Sequence, residues 1–153
     1  INQNASFDVT SQARIAVDEI VNQVRESQAV ANTCGSCGVS TGLNSLVLQL
    51  WQLDTSGDPD NGALDYVTYS VSNNQLVQSI YPAATSTRAA VSNKKITNNI
   101  SALVFTYEPP VPPANYTDAT QVTVSVTATQ TTTAGAKTIA STQTGKAALR
   151  NKE

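Results

Sequence analysis

The sequence predicts an α+β domain: one long N-terminal amphipathic helix packed on an antiparallel β-sheet. Two observations carry this. The stretch Asp8–Asn32, DVTSQARIAVDEIVNQVRESQAVAN, places Val9, Ala13, Val17, Ile20, Val24 and Ala31 on one helical stripe. After residue 44 the helical period disappears, and short alternating segments separated by Gly, Pro and Asn clusters take its place. The predicted organisation is a single domain over 1–153, with a helix over 8–32, a loop over 33–44 and a sheet region over 45–153. One helix leading into an antiparallel sheet points to a scaffold or assembly protein rather than an enzyme.

Ser6 or Asp8 can cap the helix, and Asp8 suits the positive end of its dipole. Asp18, Glu19, Gln23 and Glu26 occupy the outer face, and Asn32 and Gly35 are the stop signals. At ~1.5 Å per residue this helix is about 35 Å long. Cys34-Gly35-Ser36-Cys37 then opens a Gly-rich loop.

Ser45–Asp54, SLVLQLWQLD, reads as a strand with Leu46, Leu48 and Leu50 inward. Thr55–Gly62 is a turn cluster. Asp65–Ser72 alternates, with Val67, Tyr69 and Val71 on one side. Asn73-Asn74 joins it to QLVQSIY as a tight hairpin, because Asn tolerates positive φ. Pro82–Asn99 is expected to be irregular, with a short helical turn around Arg88–Val91.

Ser101–Tyr107 is the next strand. Glu108–Ala114, EPPVPPA, is a stiff excursion, since four prolines remove ladder donors. Gln121–Thr129 is a strand with Val122, Val124 and Val126 inward. Thr131–Lys137 turns, and Thr138–Arg150 completes the sheet.

Only 13% of the residues are charged, against about 25% in ordinary soluble domains. Thr, Ser, Asn and Gln supply the polarity, as in extracellular β-rich proteins. Residues 1–83 carry two basic and eight acidic side chains, and residues 84–153 carry seven basic and three acidic. The halves either neutralise each other within one molecule or let copies meet through opposite faces. Asp54, Asp58 and Asp60 face one way in the second reading, and Lys94, Lys95, Lys146 and Lys152 are the candidate partner contacts. No basic run is dense enough for a nucleic-acid footprint.

Histidine is absent, which removes the commonest general base and metal ligand. Ser and Lys are both present, but no motif marks a catalytic pair, so no catalytic residue is assigned. Trp51 in a strand is expected in the core, with a surface contact as the alternative. Asn4, Asn99 and Asn115 stand in N-glycosylation patterns and are read as plain polar surface. The chain starts a few residues before a helix without an initiator Met, so it is expected to be a fragment.

Several segments, in order, resemble type IV pilin-like proteins. Ser11–Val30 resembles the amphipathic run that follows the membrane half of the pilin helix. Asp65–Ser79, DYVTYSVSNNQLVQS, resembles a hairpin of that family. Ile100–Tyr107, ISALVFTY, resembles its "v-x-x-l-x-F-x-Y" strand. The ending ALRNK is similar to the terminal "L-R-N" of J-type minor pseudopilins and W-type minor pilins.

The family's peptidase site and apolar half-helix with its glutamate are missing, in keeping with the fragment expectation. The resemblance implies the soluble domain of a minor pilin or pseudopilin. Its role would lie in the assembly or tip of a type IV pilus or type II secretion pseudopilus. The implied partners are other minor pilins or pseudopilins and a major pilin. The implied place is the periplasm or a cell-surface filament. The precursor would be anchored in the inner membrane through the missing segment alone. A secreted adhesin or ligand-binding β-rich module is the alternative.

In that extracytoplasmic setting a Cys34–Cys37 disulfide would tighten the loop after the helix, with two free thiols as the alternative. A zinc site lacks ligands, and a redox pair lacks the helix N-terminus it requires. Asp54, Asp58, Asp60 and Asp65 supply hard oxygen ligands of the kind calcium takes, and some pseudopilins bind calcium. The spacing is not that of an EF-hand and no Glu closes the loop, so an acidic solvated turn with Pro59 and Gly62 is the preferred reading and calcium the alternative.

Overall fold

The computed structural model describes residues 2–35, 37–132 and 137–150. Helix α1 runs over Asn2–Glu26, longer at its start and shorter at its end than 8–32. The early stop has a local cause. The Ser27 hydroxyl bonds the Gln23 carbonyl at 2.6 Å, and its amide bonds the Val24 carbonyl at 3.0 Å. The chain then departs as strand β1, Ala29–Val30, paired with Leu48 and Gln49. Ala29, Val30 and Ala31 are buried along β2, not on the helix. Their small apolar character imitates a continued stripe, so the periodicity ran past the true end.

Among the described residues eight strands form two antiparallel sheets rather than one. The larger holds β1, β2 (Leu46–Leu53), β3 (Pro59–Ser72), β4 (Gln75–Tyr81) and β5 (Val91–Thr97) in that order. The smaller holds β6 (Ile100–Glu108), β7 (Gln121–Thr131) and β8 (Thr138–Ala148). The chain changes sheets at Asn98-Asn99, where Asn99 has φ 62°. Backbone bonds stitch the crossing: Ile100 donates to Asn74 and Thr129 donates to Asn99, both at 2.8 Å.

The Asn73-Asn74 hairpin is present, with φ of 51° and 61°. Two other expectations fail. Pro59–Gly62 belongs to β3 rather than to a turn, which is allowed because Pro59 is the first residue of its strand. Residues 91–97 form a strand where irregular chain and a helical turn were expected. β5 is an edge strand, exposed over Ser92–Lys95, so it shows no alternation for a pattern to reveal. The expected turn at 131–137 falls partly on residues 133–136, outside the described residues. Thr131 itself belongs to β7.

Helix α1 buries Val9, Ala13, Ala16, Val17, Ile20, Val21 and Val24. They share one core with Leu46, Leu48, Val122 and Val124, so the helix closes over both sheets. It lies chiefly on β7 and β8 and also touches β5. Its approach to β8 is close enough to require glycine. A Cβ at Gly145 would stand 2.6 Å from Val17 Cγ1 and 2.8 Å from Val21 Cγ2.

Valine side chains are stiff and cannot swing aside. Gly145→Ala therefore forces the helix off the sheet, and overpacking of this kind costs about 1–3 kcal/mol. The expected result is a melting temperature lower by several degrees, read by circular dichroism. Gly145→Ala paired with Val17→Ala should recover part of the loss.

Candidate functional surfaces

Three local constructions shape the surface that this fold presents. The first is the loop between β1 and β2. Cys34 and Cys37 are joined by a disulfide, with their Cα atoms 5.6 Å apart. Thr41 pins the loop to β2: its hydroxyl donates to the Ala31 carbonyl at 2.6 Å and accepts from the Val47 amide at 2.9 Å. The far end of the loop reaches the other sheet. Phe105 N–H donates to the Leu43 carbonyl at 2.8 Å, Asn44 Nδ2 to Leu103 at 2.7 Å and Tyr107 Oη to Gly42 at 2.8 Å. This loop clamps the two sheets together.

The second construction is a buried carboxylate. Asp65 on β3 has no exposed side-chain surface. It accepts from Arg88 Nε at 2.7 Å, Ser86 Oγ at 2.8 Å and the Ala83 amide at 2.8 Å. Arg88 Nη2 also donates to the Trp51 carbonyl at 3.1 Å. One carboxylate thus ties the 82–90 connection at Ala83, Ser86 and Arg88, and bonds from Thr87 to Leu53 and Asp54 add to its hold on β2.

The third joins helix to sheet. Tyr69 Oη donates to Glu19 Oε2 at 2.7 Å, and Gln78 Nε2 donates to Tyr69 Oη at 2.8 Å. Burial first, then the Glu19 carboxylate, raise the Tyr69 pKa well above the usual tyrosine range. Burial and Tyr116 do the same for Tyr107. A raised folded-state pKa means that the neutral phenol stabilises the fold below the unfolded value of about 10. That contribution is lost as pH rises above it. The domain should therefore lose stability from about pH 10 upward. Denaturant melts of Tyr69→Phe should show a shallower alkaline decline than the parent.

The four aspartates singled out as calcium ligands do not converge. Asp65 is committed to Arg88. Asp54 Oδ1 accepts the Ser56 and Asp58 amides at 2.8 and 3.0 Å and so closes its own turn. Asp60 accepts from Gln52 Nε2 and the Gly62 amide. Among the described residues no three His, Cys, Asp or Glu side chains are placed to hold a metal ion.

Lys94 and Lys95 are exposed on β5, and Lys146 is exposed on β8, one of the two edge strands of the other sheet. Lys152 lies outside the described residues. Asn99 Nδ2 donates to Gln12 Oε1 at 3.1 Å, so this amide holds the helix.

Two features escaped the sequence reading. Phe7 is 74% exposed and Ile15 48% exposed, both on the helix face away from the core. Trp51 is only half-buried and lines a cleft of about 340 Å³ with Glu26, Gln28, Leu50, Arg88 and Arg150. No spacing rule finds this cleft, because its walls, which include Pro59, come from five separated stretches of chain.

The arrangement of one N-terminal helix over antiparallel sheets is the type IV pilin-like fold. The chain is similar in structure to a type IV-like pilin from Thermus thermophilus, with a TM-score of 0.63. The match covers 94% of this chain and 96% of that one at 8% sequence identity, so the agreement is one of fold. No protein-family model and no curated protein matches the sequence. Among the described residues no helix is long and apolar enough to cross a membrane.

Proposed function

We propose that the chain is the globular domain of a structural subunit, a minor pilin or minor pseudopilin, that works by packing into a filament. The observation that carries this reading is the agreement of fold with a type IV-like pilin over nearly the whole of both chains. The exposed Phe7 and Ile15 support it, since large apolar side chains on an otherwise solvated helix face suit a neighbouring subunit. The ALRN ending adds the minor-subunit character. In this reading an apolar segment N-terminal to residue 1 anchors the precursor in the inner membrane. The domain then faces outward in a pilus or pseudopilus beside other minor subunits and the major one.

Immunogold labelling of native cells tests the proposal. Label on or at the tips of surface filaments, or on pseudopili under overexpression, is the expected result. Label spread over cells without filaments, or a freely secreted monomer with an ordinary cleaved signal peptide, overturns it in favour of an adhesin or binding module. The purified domain should be a monomer by light scattering. Its association with partner subunits should weaken as salt rises, because contacts through Lys94, Lys95, Asp58 and Asp60 steer more than they bind.

A further inference from the structure

We propose that the cleft beside Trp51 is a binding site for a neutral saccharide, holding one sugar ring against the indole. Its volume of about 340 Å³ lies at the small end of the range for small-molecule sites. Its walls are built rather than accidental. Gln28 N–H bonds the Gln49 carbonyl and Arg150 N–H bonds the Ser27 carbonyl, both at 2.9 Å, which fixes the segment between α1 and β1 against β2 and the C-terminal residues. Arg88 is held from behind by the buried Asp65 and by the Trp51 carbonyl. A guanidinium has five N–H groups, and those two bonds leave the remaining ones available without cost in ordering the side chain.

The chemistry of the lining selects the ligand. Trp51 and Leu50 offer apolar surface. Arg88 and Arg150 offer donors in planar forks, and Glu26 offers a planar pair of acceptors. Gln28 lines the cleft, and among the described residues its Oε1 is shut off from solvent with no hydrogen-bond partner, an acceptor that a turn of the side chain would bring to a ligand. Unsatisfied buried acceptors of this kind are uncommon in folded proteins.

Charge is balanced, with Arg88 offset by Asp65 and Arg150 by Glu26 on the same cleft. A phosphate or sulfate would need cations in excess, and a lipid chain would need walls without charge. A pyranose ring meets both demands. Its C–H face suits an indole, and its hydroxyls, which donate and accept in the ring plane, suit planar amide, carboxylate and guanidinium groups.

Trp51 is the only tryptophan, so its fluorescence reports the site directly. The chain would be titrated with the methyl glycosides of glucose, galactose, mannose and N-acetylglucosamine, and with cellobiose and lactose. Glucuronate, sialic acid and inorganic phosphate are the charged comparators. The expected result is a saturable change in emission with at least one neutral sugar. Affinity should fall at least tenfold in both Glu26→Ala and Gln28→Ala, with their thermal melts unchanged. Amide chemical shifts that move at Glu26, Gln28 and Arg150 would place the ligand in the cleft. Silence toward every neutral sugar, a response retained in both variants, or a response confined to the charged comparators overturns the proposal.

Discussion

Ile20→Asp should abolish cooperative folding of the domain. Ile20 is fully buried at the centre of the helix stripe, between Val17 and Val24, and shares its core with strands of both sheets. Removing its side chain from the core forfeits about 1.5–3 kcal/mol of burial. Placing a carboxylate there without a partner adds a desolvation cost of several kcal/mol more. The sum rivals the whole stability of a domain, about 5–15 kcal/mol. The expected observation is loss of the sigmoidal thermal melt and of near-ultraviolet signal. Ile20→Val, which removes one methylene, should cost only about 0.5–1.5 kcal/mol and melt a few degrees early. An unchanged melt for Ile20→Asp would mean that the helix does not close over the sheets at this residue.

The helix and the strands β2, β3, β4, β6, β7 and β8 were legible, chiefly because burial imposes a period on them. Val9, Val17, Ile20 and Val24 repeat at the helical spacing, and Val122, Val124 and Val126 repeat at the strand spacing, and all are buried. The paired Asn73-Asn74 announced its hairpin because few residues take positive φ. β5 was not legible for the same reason in reverse. A strand with one neighbour and a run of exposed residues over Ser92–Lys95 writes no alternation. The end of α1 was hidden because Ala29–Ala31 is apolar for a different partner. The division into two sheets was equally hidden, since it depends on register across the Asn98-Asn99 crossing.

The surfaces were less legible than the fold. The Cys34–Cys37 pairing is a local event, but its spacing alone left two free thiols open, and the extracytoplasmic setting implied by the resemblance is what favoured the bond. The cleft at Trp51 assembles residues 26, 28, 51, 88 and 150, and no local pattern joins them. Asp65 illustrates the same limit. In sequence it extends an acidic cluster with Asp54, Asp58 and Asp60. In the fold it points to the interior and meets Arg88, twenty-three residues away. Sequence proximity suggested one solvated acidic turn, with a shared cation as the alternative, whereas tertiary pairing buries Asp65 against Arg88 and separates it from its neighbours.

That pairing gives the second large effect. Arg88→Ala would leave the Asp65 carboxylate buried, with only the Ser86 hydroxyl and the Ala83 amide for partners. Breaking a buried ion pair from one side typically costs about 3–5 kcal/mol, because the remaining charge has neither water nor a counterion. The loss should appear as a melting temperature lower by about 6–20 °C, at 2–4 °C per kcal/mol for a chain of this size. Arg88→Lys should recover only part of it, since an ammonium cannot reach Asp65 Oδ2 and the Trp51 carbonyl in the geometry of a planar fork. The decisive comparison is a double-mutant cycle with Asp65→Asn. Once the carboxylate is gone, removing Arg88 exposes no charge, so the double variant should be more stable than Arg88→Ala alone. A coupling energy near 1–3 kcal/mol is expected between residues in such direct contact. Additive losses would mean that Arg88 supports the 82–90 connection by packing alone, and that the charge of Asp65 is met by its other two donors.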